Sequence, residues 1–276
     1  MPRRFAEVDV FSDTAYLGNP VAVVLDGDGL TSDEMQRFAA WTNLSETTFV
    51  VAATDPAADY RARIFDTSSE LPFAGHPTLG TCHAWLAAGG RPRDPERIVQ
   101  ECGAGLVTVR RTPDGLAFQS PDPFRSGPLD EALNRRIVDV LGIAPEAIVD
   151  TQWAANGPNW VVALLRSADA VLALEPAFVD FDLGVVGPYS GASPAAFEVR
   201  AFFPKDGRTA EDPVTGSLNG ALAQWLVRTG RATLPYVASQ GRALGRVGRV
   251  HLSADEDGAV WVAGATRTCV TGEVEL

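Results

Sequence analysis

The chain has 276 residues, 46% of them hydrophobic, and acids outnumber bases 35 to 23 for a formal charge of −12. That composition belongs to a globular protein of one large domain or two ordinary ones, not to a disordered chain. The negative balance argues against general binding to nucleic acid or anionic membranes, no apolar run reaches the length of a membrane span, and the N-terminus MPRRFAEVDVF lacks the apolar core of a signal peptide.

In chain order, Phe5 to Phe11 and Val21 to Leu25 read as strands joined through Gly18–Asn19–Pro20. Thr31 and Glu34 have capping-box spacing, and Met35, Phe38, Ala39 and Thr42 then follow one helical face. The stretch TNLSETTFVV, residues 42 to 51, ends that helix and opens a strand with Glu46 at the junction. A lone glutamate there is more often a solvated turn residue. Held at a cleft, it would move protons. Phe49 and Phe73 are expected to screen it from water. A further strand, Tyr60 to Phe65, follows.

Residues 70 to 90, ELPFAGHPTLGTCHAWLAAGG, place a Gly–His–Pro step ahead of an apolar helix whose face holds Leu79, Cys82, His83 and Leu86. Residues 211 to 230, EDPVTGSLNGALAQWLVRTG, repeat the plan. The two segments align without a gap: Glu70 with Glu211, Pro72 with Pro213, Gly75 with Gly216, Gly89 with Gly230. Each follows an Arg-plus-aromatic strand, RARIF or VRAFF, and each precedes a glycine-containing strand region. Before the second copy come a helix with Leu133, Ile137, Val140 and Leu141, stopped by Gly142, and a strand from Trp160 to Leu165.

The chain therefore reads as a tandem duplication of one α+β unit: a first lobe over 1–120 and a second over 121–264, divided near the Pro-, Ser- and Gly-rich SPDPFRSGP. Two similar lobes usually leave a cleft, and ligands favour clefts.

The turns Ala74–Gly75–His76 and Thr215–Gly216–Ser217 each start a helix. A helix N-terminus offers unpaired N–H groups and partial positive charge, and glycine allows an anion close approach. Two such matched turns would hold a carboxylate despite the acidic total; the alternative is that the glycines only form turns and Ser217 only caps its helix. His76 sits at the first turn and Asp212 at the second, where with Glu46 they would make an acid/base set. His83 reads as a packed histidine.

Other site classes are poorly represented. No dinucleotide fingerprint, P-loop or nucleophile elbow occurs. Cys82, Cys102 and Cys269 lack CxxC spacing, which disfavours a disulfide framework or a zinc site and suits a cytoplasmic protein with reduced thiols. GRALGRVGR reads as strand–turn–strand.

Taken together, GNPVAVVLD (18–26), NLSETTFV (43–50), ELPFAGHPTLG (70–80), EDPVTGSLNG (211–220) and GRALGRVGRV (241–250) resemble the PhzF family, phenazine-biosynthesis-like proteins of the diaminopimelate epimerase fold. The resemblance implies two pseudo-symmetric lobes, each a curled, mostly antiparallel sheet around a central helix. The strand at 265–276 would return to complete the first lobe. It also implies a cofactor-independent isomerase, without metal, acting on a small anionic metabolite as trans-2,3-dihydro-3-hydroxyanthranilate isomerase does. The family's catalytic residues fall on Glu46, His76 and Asp212. Its substrate-binding positions fall on Ser45, Gly75, Gly216 and Ser217. A homodimer is implied as well. Epimerases of this fold carry a cysteine in each turn; here His76 and Ser217 follow the glycines. An amino-acid epimerase or racemase is thus the alternative chemistry, and a non-catalytic metabolite-binding protein the alternative class.

Overall fold

The computed structural model describes residues 1–276. Two units divide the chain: Met1–Gln119 with Ala263–Leu276, and Ser120–Val262.

In the first unit come β1 (Pro2–Val10), β2 (Asn19–Val24), α1 (Ser32–Thr42), β3 (Glu46–Val51), β4 (Tyr60–Phe65), β5 (Glu70–Leu71), α2 (Gly75–Ala87), β6 (Arg97–Cys102), β7 (Gly105–Thr112) and β8 (Gly115–Gln119). The second holds β9 (Arg125–Gly127), α3 (Glu131–Leu141), β10 (Ile148–Ala155), β11 (Val161–Leu165), α4 (Ala168–Leu172), β12 (Leu183–Pro188), β13 (Phe197–Lys205), β14 (Arg208–Glu211), α5 (Gly216–Arg228), β15 (Tyr236–Gln240) and β16 (Gly248–Ala254). β17 (Val260–Gly264) and β18 (Thr266–Glu275) end the chain. None of the helices is long and apolar enough to cross a membrane.

The duplication is visible in the strand pairing. In the first unit β1 runs antiparallel to β2, β2 parallel to β3, β3 antiparallel to β4, β4 parallel to β6, and β6 antiparallel to β7. In the second, β10–β11, β11–β12, β12–β13, β13–β15 and β15–β16 repeat the same alternation of sense. Both copies also repeat one ion pair. Arg63 grips Glu70 through Nε (2.8 Å) and a terminal nitrogen (2.5 Å), and Arg200 grips Glu211 likewise (3.0 and 2.7 Å). Each guanidinium also lies over the phenylalanine two residues on, Phe65 or Phe202.

β1 begins three residues earlier than the apolar pattern suggests. β18 pairs antiparallel along its whole length, so the charged Pro2–Arg4 segment is held by a ladder that its side chains do not advertise. β1 stops at Val10 because Phe11 takes a positive φ of 69°.

The two long helices differ from the one-faced reading. In α2 every residue from Gly75 to Cys82 is buried, and in α5 every residue from Gly216 to Ala223. Each is enclosed on nearly all sides, so small residues replace the usual polar face. A Cβ on Gly80 would stand 2.3 Å from Val21 Cγ1, and one on Gly220 2.4 Å from Ser120 Oγ. Glycine lets β2 approach the helix at Gly80 and leaves room for Ser120 at Gly220.

α1 forms as its sequence suggests. Thr31 and Glu34 make a reciprocal capping box, Met35, Phe38 and Ala39 are buried, and Asn43 ends the helix in the left-handed region. Its apolar face packs with Phe49 and Phe65. α3 ends at Gly142 with φ 63°.

Candidate active site

Glu46 is the first residue of β3, opposite Val21 of the parallel strand β2. Strand alternation sends Glu46 and Thr48 to one face, and Thr47, Phe49 and Val51 to the other. Thr48 reaches α2, where its hydroxyl lies 2.7 Å from that of Thr81. Glu46 therefore faces the start of α2, where its Oε2 stands 3.4 Å from His76 Nε2. Both side chains are well shielded, 17% exposed for Glu46 and 5% for His76.

Phe49 does not screen Glu46. Phe49 is an odd number of residues from Glu46, so it points to the opposite face and packs edge-on against Phe65 and Phe38. Phe73 is buried with its ring edge-on to Phe118, 5.6 Å between centroids.

His76 is held from its other side. Asn19 Nδ2 lies 3.3 Å from Nδ1. The turn that presents Asn19 is tight: a Cβ at Gly18 would meet the Val10 carbonyl at 2.2 Å, and Gly18 N–H donates to buried Asp9. Burial pushes the His76 pKa down to about 3, outweighing a hydrogen bond to the Pro20 backbone that favours the charged ring. The imidazole beside Glu46 is therefore neutral at neutral pH. At 3.4 Å the pair is longer than a well-formed hydrogen bond of about 3 Å, and catalytic contacts of this kind often tighten around substrate.

Gly75 is the first residue of α2 and His76 the second, while Ser45 immediately precedes β3. The N-cap, Ala74, offers no side-chain acceptor, and no acid stands in the first turn. α5 shares this property: its N-cap is Thr215, with no side-chain cap and no acid in the first turn. α1, α3 and α4, by contrast, are capped by Thr31, Asp130 and Ser167. Ser217, second in α5, is not its cap.

The α5 turn, in the second unit, carries Asp212, Gly216 and Ser217. Asp212 follows β14, and its Oδ2 accepts the Thr215 hydroxyl at 2.6 Å. Gln240, at the end of β15, reaches the same turn with both ends of its amide. Asn156 donates to the Ser217 carbonyl at 3.0 Å. Gln240 and Asn156 were not singled out from sequence, because their contacts depend on strand pairings between distant segments.

Asp182 was also missed. It directly precedes β12, and the β11–β12 register, Val161 with Leu183, runs back one step to it. That is the place Glu46 holds in the first unit. Burial raises the Asp182 pKa, against a hydrogen bond from the Asn159 backbone. The remaining histidine of the central helices, His83, is a packed residue: its two ring nitrogens lie 2.9 Å from the hydroxyls of Thr266 and Thr268 on β18. Cys82 is fully buried, and its thiol is pushed up to about 12 by burial, far from a reactive thiolate.

A shielded carboxylate beside a neutral imidazole, at a helix end that no side chain caps, is equipment for proton transfer, and it sits in a duplicated α+β fold. The family model for the phenazine biosynthesis-like proteins, PhzC-PhzF, matches residues 8–273, and the chain belongs to that family. It is 35% identical to the trans-2,3-dihydro-3-hydroxyanthranilate isomerase of Pseudomonas aeruginosa over 99% of both chains. It is 36% identical to antisense-enhancing sequence 1 of Schizosaccharomyces pombe, covering 98% of this chain and 97% of that one. A crystal structure of a PhzF-family protein from Bacillus anthracis superposes with a TM-score of 0.84 over 100% of both chains at 22% identity, showing the same fold. The chain is accordingly an enzyme of isomerase type.

Proposed function

We propose that the enzyme moves a proton within a small, carboxylated, cyclic metabolite, without a cofactor, in the manner of trans-2,3-dihydro-3-hydroxyanthranilate isomerase. Glu46 takes a proton from a ring carbon and returns one elsewhere on the conjugated system. The observation that carries this reading is the 3.4 Å approach of His76 Nε2 to the shielded Glu46 carboxylate. Neutral His76 has a single ring N–H, shared between the Pro20 carbonyl on one side and Glu46 or the ligand on the other according to tautomer, so it does not trap the carboxylate in a fixed ion pair. The uncapped turns at Gly75 and at Gly216–Ser217 are assigned to the ligand carboxylate, with Ser45 as a further contact and Asp212 as an auxiliary acid or base.

An ordinary glutamate, with a pKa of about 4.3, is a weak base towards carbon. Orientation compensates: aligned positioning is worth about 7 kcal/mol or more of barrier in favourable cases. The epimerase alternative is not favoured by any feature of either turn, since neither holds a thiol. Homodimerisation forms part of this reading, and sedimentation velocity tests it.

Kinetics and calorimetry on Glu46→Gln test the reading. The amide keeps the shape and removes the base. Turnover of trans-2,3-dihydro-3-hydroxyanthranilate should fall at least about a hundredfold, while affinity for the carboxylated ligand stays within a few-fold. Wild-type turnover in the variant would sink the assignment.

A further inference from the structure

The Gln240 side chain is wholly buried, and all of its hydrogen bonds go to the start of α5. Its Oε1 accepts from Thr215 N–H at 3.0 Å and from Asn219 Nδ2 at 2.8 Å. Its Nε2 donates to the Asp212 carbonyl at 3.1 Å and to Thr215 Oγ1 at 2.9 Å. The amide orientation follows from chemistry alone. Thr215 N–H can only donate and the Asp212 carbonyl can only accept, so the oxygen must face the first and the nitrogen the second.

That polarity propagates. Because Thr215 Oγ1 already accepts from Gln240, its own hydrogen is left to donate, and Asp212 Oδ2 receives it at 2.6 Å. Asn219 is oriented the same way, since its amide nitrogen also serves the Thr215 carbonyl at 2.9 Å. The capping hydroxyl of Thr215 is thus turned away from the helix it precedes and onto Asp212. The Thr215 N–H is consumed as well. The first N–H groups that remain for an anion are those of Gly216 and Ser217.

The arrangement belongs to the second unit only. Gln240 pairs with Val199, three residues before Phe202; the first unit places Cys102 at that point, one residue beyond the pair Arg61–Glu101. There, Gln100 contacts only Thr78 within the helix, at 3.1 Å, and is itself held by the Tyr60 hydroxyl at 3.0 Å. Backbone packing ties Gln240 further to the turn: a Cβ on Gly241 would meet the Pro213 carbonyl at 2.6 Å, and one on Gly248 would meet Val214 Cγ2 at 2.4 Å.

We propose that Gln240 is a positioning residue for the ligand carboxylate. It fixes the Thr215 hydroxyl on Asp212 and so turns that oxygen away from the helix start, leaving the Gly216 and Ser217 N–H groups for the anion. This rests on the proposed function, which assigns that turn to the carboxylate.

The test compares Gln240→Glu, Thr215→Val and Thr215→Ser by steady-state kinetics on trans-2,3-dihydro-3-hydroxyanthranilate and by calorimetry with 3-hydroxyanthranilate as the probe. Gln240→Glu keeps the acceptors for Thr215 N–H and Asn219 but loses both donors and places a charge at the helix start. A helix-terminal charge of the wrong sign should raise KM and the probe Kd about tenfold, less at high salt, with kcat changed under about threefold. Thr215→Val should raise both in the same direction, and Thr215→Ser, which keeps the hydroxyl, should restore wild-type values. A merely structural role would lower the active fraction, hence apparent kcat, and leave KM and Kd alone; that result overturns the proposal. If Gln240→Glu does not fold, the Thr215 pair decides by the same criterion. Wild type that neither binds the probe nor turns over the substrate would overturn the functional reading, and this proposal with it. Wild-type activity with unchanged KM in the variants would overturn this proposal alone.

Discussion

His76 stands 3.4 Å from Glu46 and is uncharged there, because burial at the start of α2 drives its pKa to about 3. The pair is a neutral imidazole beside a carboxyl group, not a salt bridge. This distinction has a consequence for stability. The unfolded-state histidine titrates near 6.5, so the folded protein binds fewer protons between that pH and about 3. Stability from this group is complete above about pH 6.5 and is lost as pH falls towards the folded-state value. Replacing His76 with Asn removes the term. Urea midpoints of wild type should drop more than those of His76→Asn between about pH 6.5 and 4.5, by a difference of about 2 kcal/mol. Parallel pH dependence in the two proteins would show that the fold does not depress the His76 pKa.

Gly80 allows α2 to lie against β2, with Val21 Cγ1 only 2.3 Å from where a Cβ would stand and Val10 Cγ2 at 3.1 Å. Gly80→Ala should therefore destabilise by about 1–3 kcal/mol through overpacking, although alanine favours helix. Val21→Ala in the same chain should recover part of the loss. Thermal or urea unfolding of the single and double variants measures this directly.

The repeated ion pair makes an internal control. Arg200 and Glu211 are 8% and 9% exposed, and Arg200 also donates to the Leu174 carbonyl at 2.6 Å. Glu70, partner of Arg63, is 41% exposed. Glu211→Ala strands a buried guanidinium and should cost about 3–5 kcal/mol. Glu70→Ala should cost about 1 kcal/mol or less. Equal costs would contradict the burial argument.

What was legible in the sequence was local or repeated. The capping box of α1 and the glycine stop of α3 are written within a few residues. The two glycine turns could be matched because their helices align without a gap. Pairing information was not legible. Phe49 was placed beside Glu46 by proximity in sequence, but a strand turns residues three apart to opposite faces. The enclosure of α2 and α5 was hidden because their first-turn and small residues look like a polar side until the sheet closes over them. Gln240 and Asp182 acquire meaning only through the parallel pairs β13–β15 and β11–β12, which join segments far apart in the chain.

In the proposed reaction Glu46 carries a proton to and from a ring carbon. The most direct measurement is NMR of trans-2,3-dihydro-3-hydroxyanthranilate incubated in D₂O with wild type and with Glu46→Gln. Isomerised product, with deuterium taken up at carbon, is expected for wild type alone. Isomerisation and deuterium uptake at the same rate with Glu46→Gln would contradict that role.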